Sequence, residues 1–126
     1  MIEILNKVRE FQIASDQPVN ESPKLNTVQD TVLRFELMKE ENDEYLDSAL
    51  KSDIVEVLDS VVDMAYVLAG TINQFGLQHI FNEAFALVHE NNMSKVVDGK
   101  VIRNEFGKII KPAGFLPVDL KRLFKS

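Results

Sequence analysis

Apolar residues recur every three or four positions through much of the chain, which is the period of an amphipathic α-helix. The pattern predicts a first helix over residues 2–15 and a polar loop with two prolines after it. A second helix is predicted from about residue 27 to residue 50, with Asn26 or Thr27 as its N-cap.

A third helix is predicted from Ser52 or Asp53, either of which can cap it, to about Phe75, where Gly76 is placed to end it. Its apolar stripe consists of Ile54, Leu58, Val61, Ala65, Leu68 and Ile72. Because this helix is apolar on nearly all sides, we expect it to be central in the fold. A fourth helix is predicted over roughly residues 78–92, and its expected inward-facing residues are Ile80, Phe81, Ala84, Phe85 and Val88.

The periodicity changes after the fourth helix. The segment "KVVDGKVIRNEFGKIIK" alternates β-branched and polar residues around Asp98-Gly99 and again around Gly107, which predicts a short hairpin. Pro117 is expected at the first position of a last short helix. The predicted fold is therefore all-α, a bundle of four main helices with a β-hairpin-like segment and a final short helix, in a single domain over residues 1–126.

Composition narrows the possible functions. The chain has no cysteine, which excludes disulfides, thiolate zinc sites and cysteine nucleophiles and favours a reducing compartment. Acids interrupt its most apolar run, so we expect a soluble, cytoplasmic protein without a membrane span. The net charge of −6 combines an acidic body with a basic tail, which argues against duplex nucleic acid as the main partner.

The candidate chemistry lies in acidic side chains on two neighbouring helices. The second helix carries Glu40, Glu41 and Glu44, and the third carries Glu56, Asp59 and Asp63. Spacings of three and four place each group on one helix face. Helices joined by a short loop pack antiparallel, so the two faces can meet.

An ordinary solvated acidic face is the alternative interpretation. On the second helix Lys39 can pair with Asp43, and Lys51 with Asp47, which supports it in part. The third helix does not fit, because no base occurs between Ser52 and the end of the fourth helix. Carboxylates without imidazole or thiolate are the ligands that Mg²⁺, Mn²⁺ or Ca²⁺ prefer, so a bound cation would balance the acids.

The same residues resemble a known family. "EENDE", followed after eleven residues by "EVLD", resembles the E-x-x-E…E-x-x-D signature of the MazG-like all-α nucleoside triphosphate pyrophosphohydrolases, which are related to dimeric dUTPases and to phosphoribosyl-ATP pyrophosphohydrolase. The later segments "DSVVDMAYVLAGT", "VHENNMSK" and "GKIIKPAGFLPVDL" extend the resemblance from about Arg34 to Leu120.

The resemblance implies a Mg²⁺-dependent enzyme, with Mn²⁺ as a substitute, that hydrolyses a nucleoside triphosphate to a nucleoside monophosphate and pyrophosphate. It implies a homodimer or a dimer of dimers. Glu40 and Glu41 would be catalytic, and the metal ligands would be Glu40, Glu41, Glu44, Glu56 and Asp59, with Asp63 as a ligand or an outer residue. The substrate would be bound by Asn92, Lys95, Lys108 and Lys111.

A function of another class stays open. A non-catalytic helical module that senses a metal or a nucleotide would keep the same carboxylates without turnover. Pyrophosphate release in the presence of Mg²⁺ distinguishes the two.

Overall fold

The computed structural model describes residues 1–124 and confirms the all-α class with a small hairpin. Its elements are α1 (Ile2–Ala14), α2 (Val28–Leu50), α3 (Ile54–Gln74), α4 (Phe81–Met93), β1 (Ile102–Arg103), β2 (Ile109–Ile110) and a 3₁₀ turn (Lys121–Phe124). Within the described residues, no helix is both long and apolar enough to cross a membrane.

Side-chain caps fix the starts of the two long helices. The Thr27 hydroxyl accepts a hydrogen bond from the backbone N–H of Asp30 at 3.1 Å, and the Asp53 carboxylate accepts one from the backbone N–H of Glu56 at 3.2 Å. Each bond satisfies a backbone donor that has no partner inside the helix. Of the alternatives in the sequence, Thr27 and Asp53 are therefore the caps.

The segment after α3 shows where one predicted boundary was wrong. Gly76 adopts a φ of 67° and ends α3, as predicted, and the N–H of Leu77 then donates to the carbonyl of Ile72. The Gln78 amide donates to the carbonyl of Asn20 at 2.7 Å. Because residues 77 and 78 make these loop contacts, α4 begins at Phe81 and not at residue 78.

The last short helix also begins later than predicted. Pro117 precedes the 3₁₀ turn and is not its first residue. The Asp119 carboxylate accepts a hydrogen bond from the backbone N–H of Lys121 at 3.0 Å, so it supplies the local cap.

The chain forms two compact units, and the first is Met1–His79. In this unit α3 packs against both α1 and α2. Its buried apolar residues are Leu5, Val8, Ala69 and Ile72. Two buried amides join α1 to α3: Gln12 donates to the carbonyl of Gly70 and Asn73 donates to the carbonyl of Leu5, each at 3.0 Å.

Much of the predicted apolar surface stays exposed in the single chain. In the stripe of α3 only Ile72 is buried, whereas Ile54 and Leu58 are 77% and 64% exposed. No residue of α4 is buried, and Phe85 is 65% exposed. The inward-facing prediction was therefore wrong for Phe85 and Val88, which are exposed, whereas Ile80, Phe81 and Ala84 are half-buried. Most of the α3 stripe stays open because α1 and α2 cover only part of α3.

The second unit begins at Ile80 and contains α4 and the hairpin. The two strands are antiparallel, with Ile102 opposite Ile110 and Arg103 opposite Ile109. A bridge between Val97 and Lys100 closes the first turn, around Asp98-Gly99. Both predicted turns are present.

Candidate functional site

Three carboxylates converge between α2 and α3. Glu41, Glu44 and Asp63 each offer one oxygen, and these oxygens lie within 4.8 Å of one another. Glu41 and Asp63 are half-buried and Glu44 is exposed. We call these three residues the acidic cluster.

The helix pair itself creates this convergence. Glu41 and Glu44 lie three positions apart and share a face of α2. The α3 helix runs back along α2 after a three-residue connection, which places Asp63 beside them. Ser48 on α2 and Ser60 on α3 are both buried, and small side chains of this kind allow two packed helices to approach closely.

Glu41 occupies an unfavourable position for a charged group. Its Oε2 atom is buried and has no hydrogen-bond partner among the described residues. Burial raises the pKa of Glu41 above its ordinary value, and the neighbouring charges of Glu44 and Asp63 raise it further. Both effects would be relieved by a cation beside this oxygen.

The structure does not bring every predicted ligand together. Glu40, Glu56 and Asp59 are exposed and do not belong to the acidic cluster. Asp63, which the resemblance gave only as a ligand or an outer residue, is instead a member. Asp59 lies one turn before Asp63, and Glu56 lies about two turns before it.

Two ion pairs show that Asp43 and Asp47 of α2 are balanced by neighbouring lysines on the solvated surface. Lys39 contacts Asp43 at 2.9 Å, and Lys51 contacts Asp47 at 2.8 Å, all with largely exposed side chains. Exposed pairs of this spacing stabilise a helix by only about 0.3–0.5 kcal/mol. Among the described residues no such basic partner contacts the acidic cluster.

A second group of predicted residues meets in the second unit. The ammonium of Lys95 donates to the Asn92 side-chain oxygen at 3.1 Å. The ammonium nitrogens of Lys95 and Lys111 each lie 5.6 Å from the centre of the Phe115 ring, within cation–π distance. Lys108 is exposed in the hairpin turn and is not part of this group.

Arg34 was missed by sequence reasoning. Only 7% of it is exposed, yet its guanidinium contacts neutral groups of α3: Nε donates to the Thr71 hydroxyl at 3.0 Å and Nη2 to the Val67 carbonyl at 2.6 Å. The one available signal was a single base between Leu33 and Phe35 on an otherwise apolar part of α2.

Comparison with known proteins decides the family. The sequence profile of the phosphoribosyl-ATP pyrophosphohydrolase family matches residues 8–92, which is about two thirds of the chain. The chain belongs to this family. Membership confirms the resemblance to the MazG-like all-α pyrophosphohydrolases. A comparison with curated proteins finds no match.

Membership in the phosphoribosyl-ATP pyrophosphohydrolase family indicates pyrophosphohydrolase activity on a nucleotide-like substrate. The matched region includes Arg34 and the whole acidic cluster, whereas Lys95, Lys108 and Lys111 lie beyond it. Members generally use a divalent metal. The residues present fit such an ion, because the cluster supplies three carboxylates, one with an unpartnered buried oxygen, and no softer ligand.

Proposed function

We propose that the protein hydrolyses a nucleoside triphosphate to a nucleoside monophosphate and pyrophosphate, and that this reaction depends on Mg²⁺, with Mn²⁺ as a substitute. The acidic cluster carries the proposal, because within residues 1–124 Glu41, Glu44 and Asp63 meet without a basic partner and a buried Glu41 oxygen has no hydrogen-bond partner. Carboxylates alone do not bind a polyphosphate, because the two groups are both anionic. A divalent cation between them allows the carboxylates to bind the polyphosphate.

When bound, the cation would neutralise phosphate charge and make phosphorus more electrophilic. Glu44 of α2 and Asp63 of α3 would bind this cation through their carboxylates. Glu41 orients the attacking water and accepts its proton, since its carboxylate lies in the acidic cluster and has an oxygen without a hydrogen-bond partner among the described residues. The water oxygen bonds to phosphorus, and a phosphoanhydride bond breaks with its electrons passing to the leaving phosphate oxygen.

The remaining predicted ligands receive smaller roles. Asp59 and Glu40 are exposed neighbours of cluster members, and their carboxylates would add negative charge near a bound cation. Glu56 is farthest along α3 and contributes least. For substrate binding we propose Asn92, Lys95 and Lys111, with Lys108 as an outer contact. The ammonium groups of Lys95 and Lys111 can neutralise phosphate oxygens, and the neutral Asn92 amide can hydrogen-bond a hydroxyl or a base edge.

We also propose a homo-oligomer, a dimer or a dimer of dimers, in the cytoplasm. The support is the apolar surface that one chain leaves open: Leu50 is 76% exposed, Ile54 77% and Leu58 64%, around the connection between α2 and α3. Burying such side chains at an interface contributes a favourable free energy of about 25 cal/mol per Å² of apolar area.

Analytical ultracentrifugation should show a species larger than one chain, and Leu58→Asp should reduce it to a monomer. A monomeric wild type would contradict the proposal.

The catalytic proposal is tested by incubating the protein with each common ribonucleotide and deoxyribonucleotide triphosphate and measuring pyrophosphate. Turnover should require Mg²⁺ or Mn²⁺ and stop with chelator. Binding of nucleotide without any pyrophosphate release would instead favour the non-catalytic sensing module.

A further inference from the structure

A pocket of about 150 Å³ lies within the first unit, between α1, α2 and α3. Arg34 and Leu37 of α2, Tyr66 of α3 and Phe11 of α1 contribute to its wall. The rings of Phe11 and Tyr66 meet edge to face, with their centres 5.9 Å apart. The pocket is thus mainly apolar and aromatic, with one cationic side chain.

Residues of α3 fix the position of the Arg34 side chain in this wall. Its Nε and Nη2 atoms are held by Thr71 and Val67, and Gly70 leaves the space for the guanidinium, since a Cβ there would lie 2.6 Å from Nη2. No carboxylate within residues 1–124 pairs with Arg34. A buried cation with only neutral partners retains donor capacity for a ligand.

The pocket is next to the acidic cluster. Leu37 and Tyr66 in its wall are one helical turn, about 5.4 Å, from Glu41 and Asp63 respectively. If the phosphates of a nucleotide lie at the acidic cluster, its sugar would span the distance of about one helical turn, and its base would enter the pocket.

The volume of the pocket matches a single-ring base. An apolar cavity of about 150 Å³ accepts one benzene-sized ring. We propose that this pocket binds a single-ring, pyrimidine nucleobase, whose ring carbonyl accepts a hydrogen bond from the Arg34 guanidinium and whose edge contacts Phe11 and Tyr66. The proposal names the substrate class of the proposed hydrolase and rests on that function, but base binding requires neither metal nor turnover.

The test is nuclear magnetic resonance of ¹⁵N-labelled full-length protein in chelator, titrated separately with uridine, cytidine, adenosine and inorganic phosphate. The Arg34 Nε–H signal is suited to this, because its hydrogen bond to Thr71 slows exchange with water. Both pyrimidine nucleosides should shift this signal and the Tyr66 ring signals. Equal shifts with adenosine, shifts with phosphate alone, or no shift with either pyrimidine nucleoside would each overturn the proposal.

Two variants test the role of Arg34. Gly70→Ala should displace the guanidinium while keeping a helix-favouring residue, and Arg34→Met removes the charge at similar length. Each should weaken nucleoside binding roughly 10-fold or more, as expected for loss of a charged hydrogen bond. Arg9→Gln is the matched control, because Arg9 is paired with Glu21 on the surface at 2.6 Å and should bind as wild type does. Unchanged binding in both pocket variants, with the fold retained by circular dichroism, would overturn the role of Arg34.

The two proposals fail separately. Pyrimidine nucleosides that bind to a protein without hydrolase activity would refute only the proposed function. Hydrolysis of purine and pyrimidine triphosphates with equal KM would refute only the pyrimidine pocket.

Discussion

Glu41 of α2 and Asp63 of α3 face each other across the helix pair, with oxygens within 4.8 Å of one another, and no basic residue in the described part of the chain forms an ion pair with either. Two like charges this close destabilise each other unless one is protonated or a cation lies between them. The pair therefore links the stability of the metal-free protein to the chemistry proposed for it.

Loss of either member of this pair should abolish hydrolysis. Glu41→Gln and Asp63→Asn each keep the side-chain volume, so the fold should remain, while Mg²⁺-dependent turnover should fall by at least about 100-fold. Pyrophosphate release at saturating substrate measures the effect. Lys39→Gln is the control, because Lys39 contacts only the solvated Asp43 and should retain wild-type turnover. Near-normal activity in Asp63→Asn would remove that residue from the site.

The geometry also ranks the acids of α3. Asp63→Asn should reduce turnover more than Asp59→Asn, and Asp59→Asn more than Glu56→Gln, since distance from Glu41 increases in that order along the helix. Parallel kinetics of the three variants at several Mg²⁺ concentrations test the order. If Glu56→Gln is instead as inactive as Asp63→Asn, then the E-x-x-E…E-x-x-D signature, which includes Glu56, identifies the metal ligands better than the acidic cluster of a single chain does.

The helix starts and ends were predictable because their signals are local. Thr27 and Asp53 each cap a helix through a backbone N–H three residues away, and Gly76 ends α3 through its own φ. Such contacts depend on nearby sequence alone. The later start of α4 was not predictable, because it depends on Gln78 contacting Asn20, a residue far away in the chain.

Membership of the site depends on how two helices align. Spacing along α3 placed Glu56, Asp59 and Asp63 on one line, but could not say which of them lies opposite Glu41. That depends on the tertiary packing of α2 against α3, which includes the contacts of Arg34 with Val67 and Thr71. Arg34 itself was missed for the same reason, since its buried position requires Gly70 on another helix.

Stability of the metal-free protein should decrease as pH rises. The pKa of Glu41 is raised in the folded state above its ordinary value of 4.5, so the native protein binds more protons than the unfolded chain between these two pKa values. The free energy of unfolding therefore falls through that window. Thermal unfolding in chelator from pH 4.5 upward measures this. Glu41→Gln should show a smaller decrease, and an identical decrease would exclude Glu41 as its source.

A divalent cation should stabilise the protein beyond ionic screening. Binding to the native state adds RT ln(1 + [L]/Kd), or roughly 1.4 kcal/mol at ten times Kd. Thermal unfolding is compared in chelator, in Mg²⁺ and in NaCl of equal ionic strength, because screening alone does not distinguish the cations. Glu41→Gln should lose most of the Mg²⁺ response. A wild type that responds equally to both salts would argue against a specific cation site.

Phe115 should matter for nucleotide binding although it carries no charge. Its ring lies 5.6 Å from the ammonium nitrogens of both Lys95 and Lys111, so it holds two cations together that would otherwise repel. Phe115→Leu keeps an apolar side chain but removes the ring's attraction, and Lys95→Ala removes one cation. We expect Lys95→Ala to weaken nucleotide binding about 10-fold or more and Phe115→Leu to weaken it less.

Calorimetry in Mg²⁺ with a nucleotide that is not hydrolysed measures these affinities. The matched control is Lys100→Ala, which removes the same charge from the first hairpin turn, where the Lys100 backbone pairs with Val97 and its side chain has no ion pair within residues 1–124. If Lys100→Ala and Lys95→Ala weaken binding equally, then the basic tail acts only through its overall charge, and Phe115→Leu should have no effect. A specific phosphate contact requires the two lysines to differ, because only Lys95 is fixed by both Asn92 and the Phe115 ring.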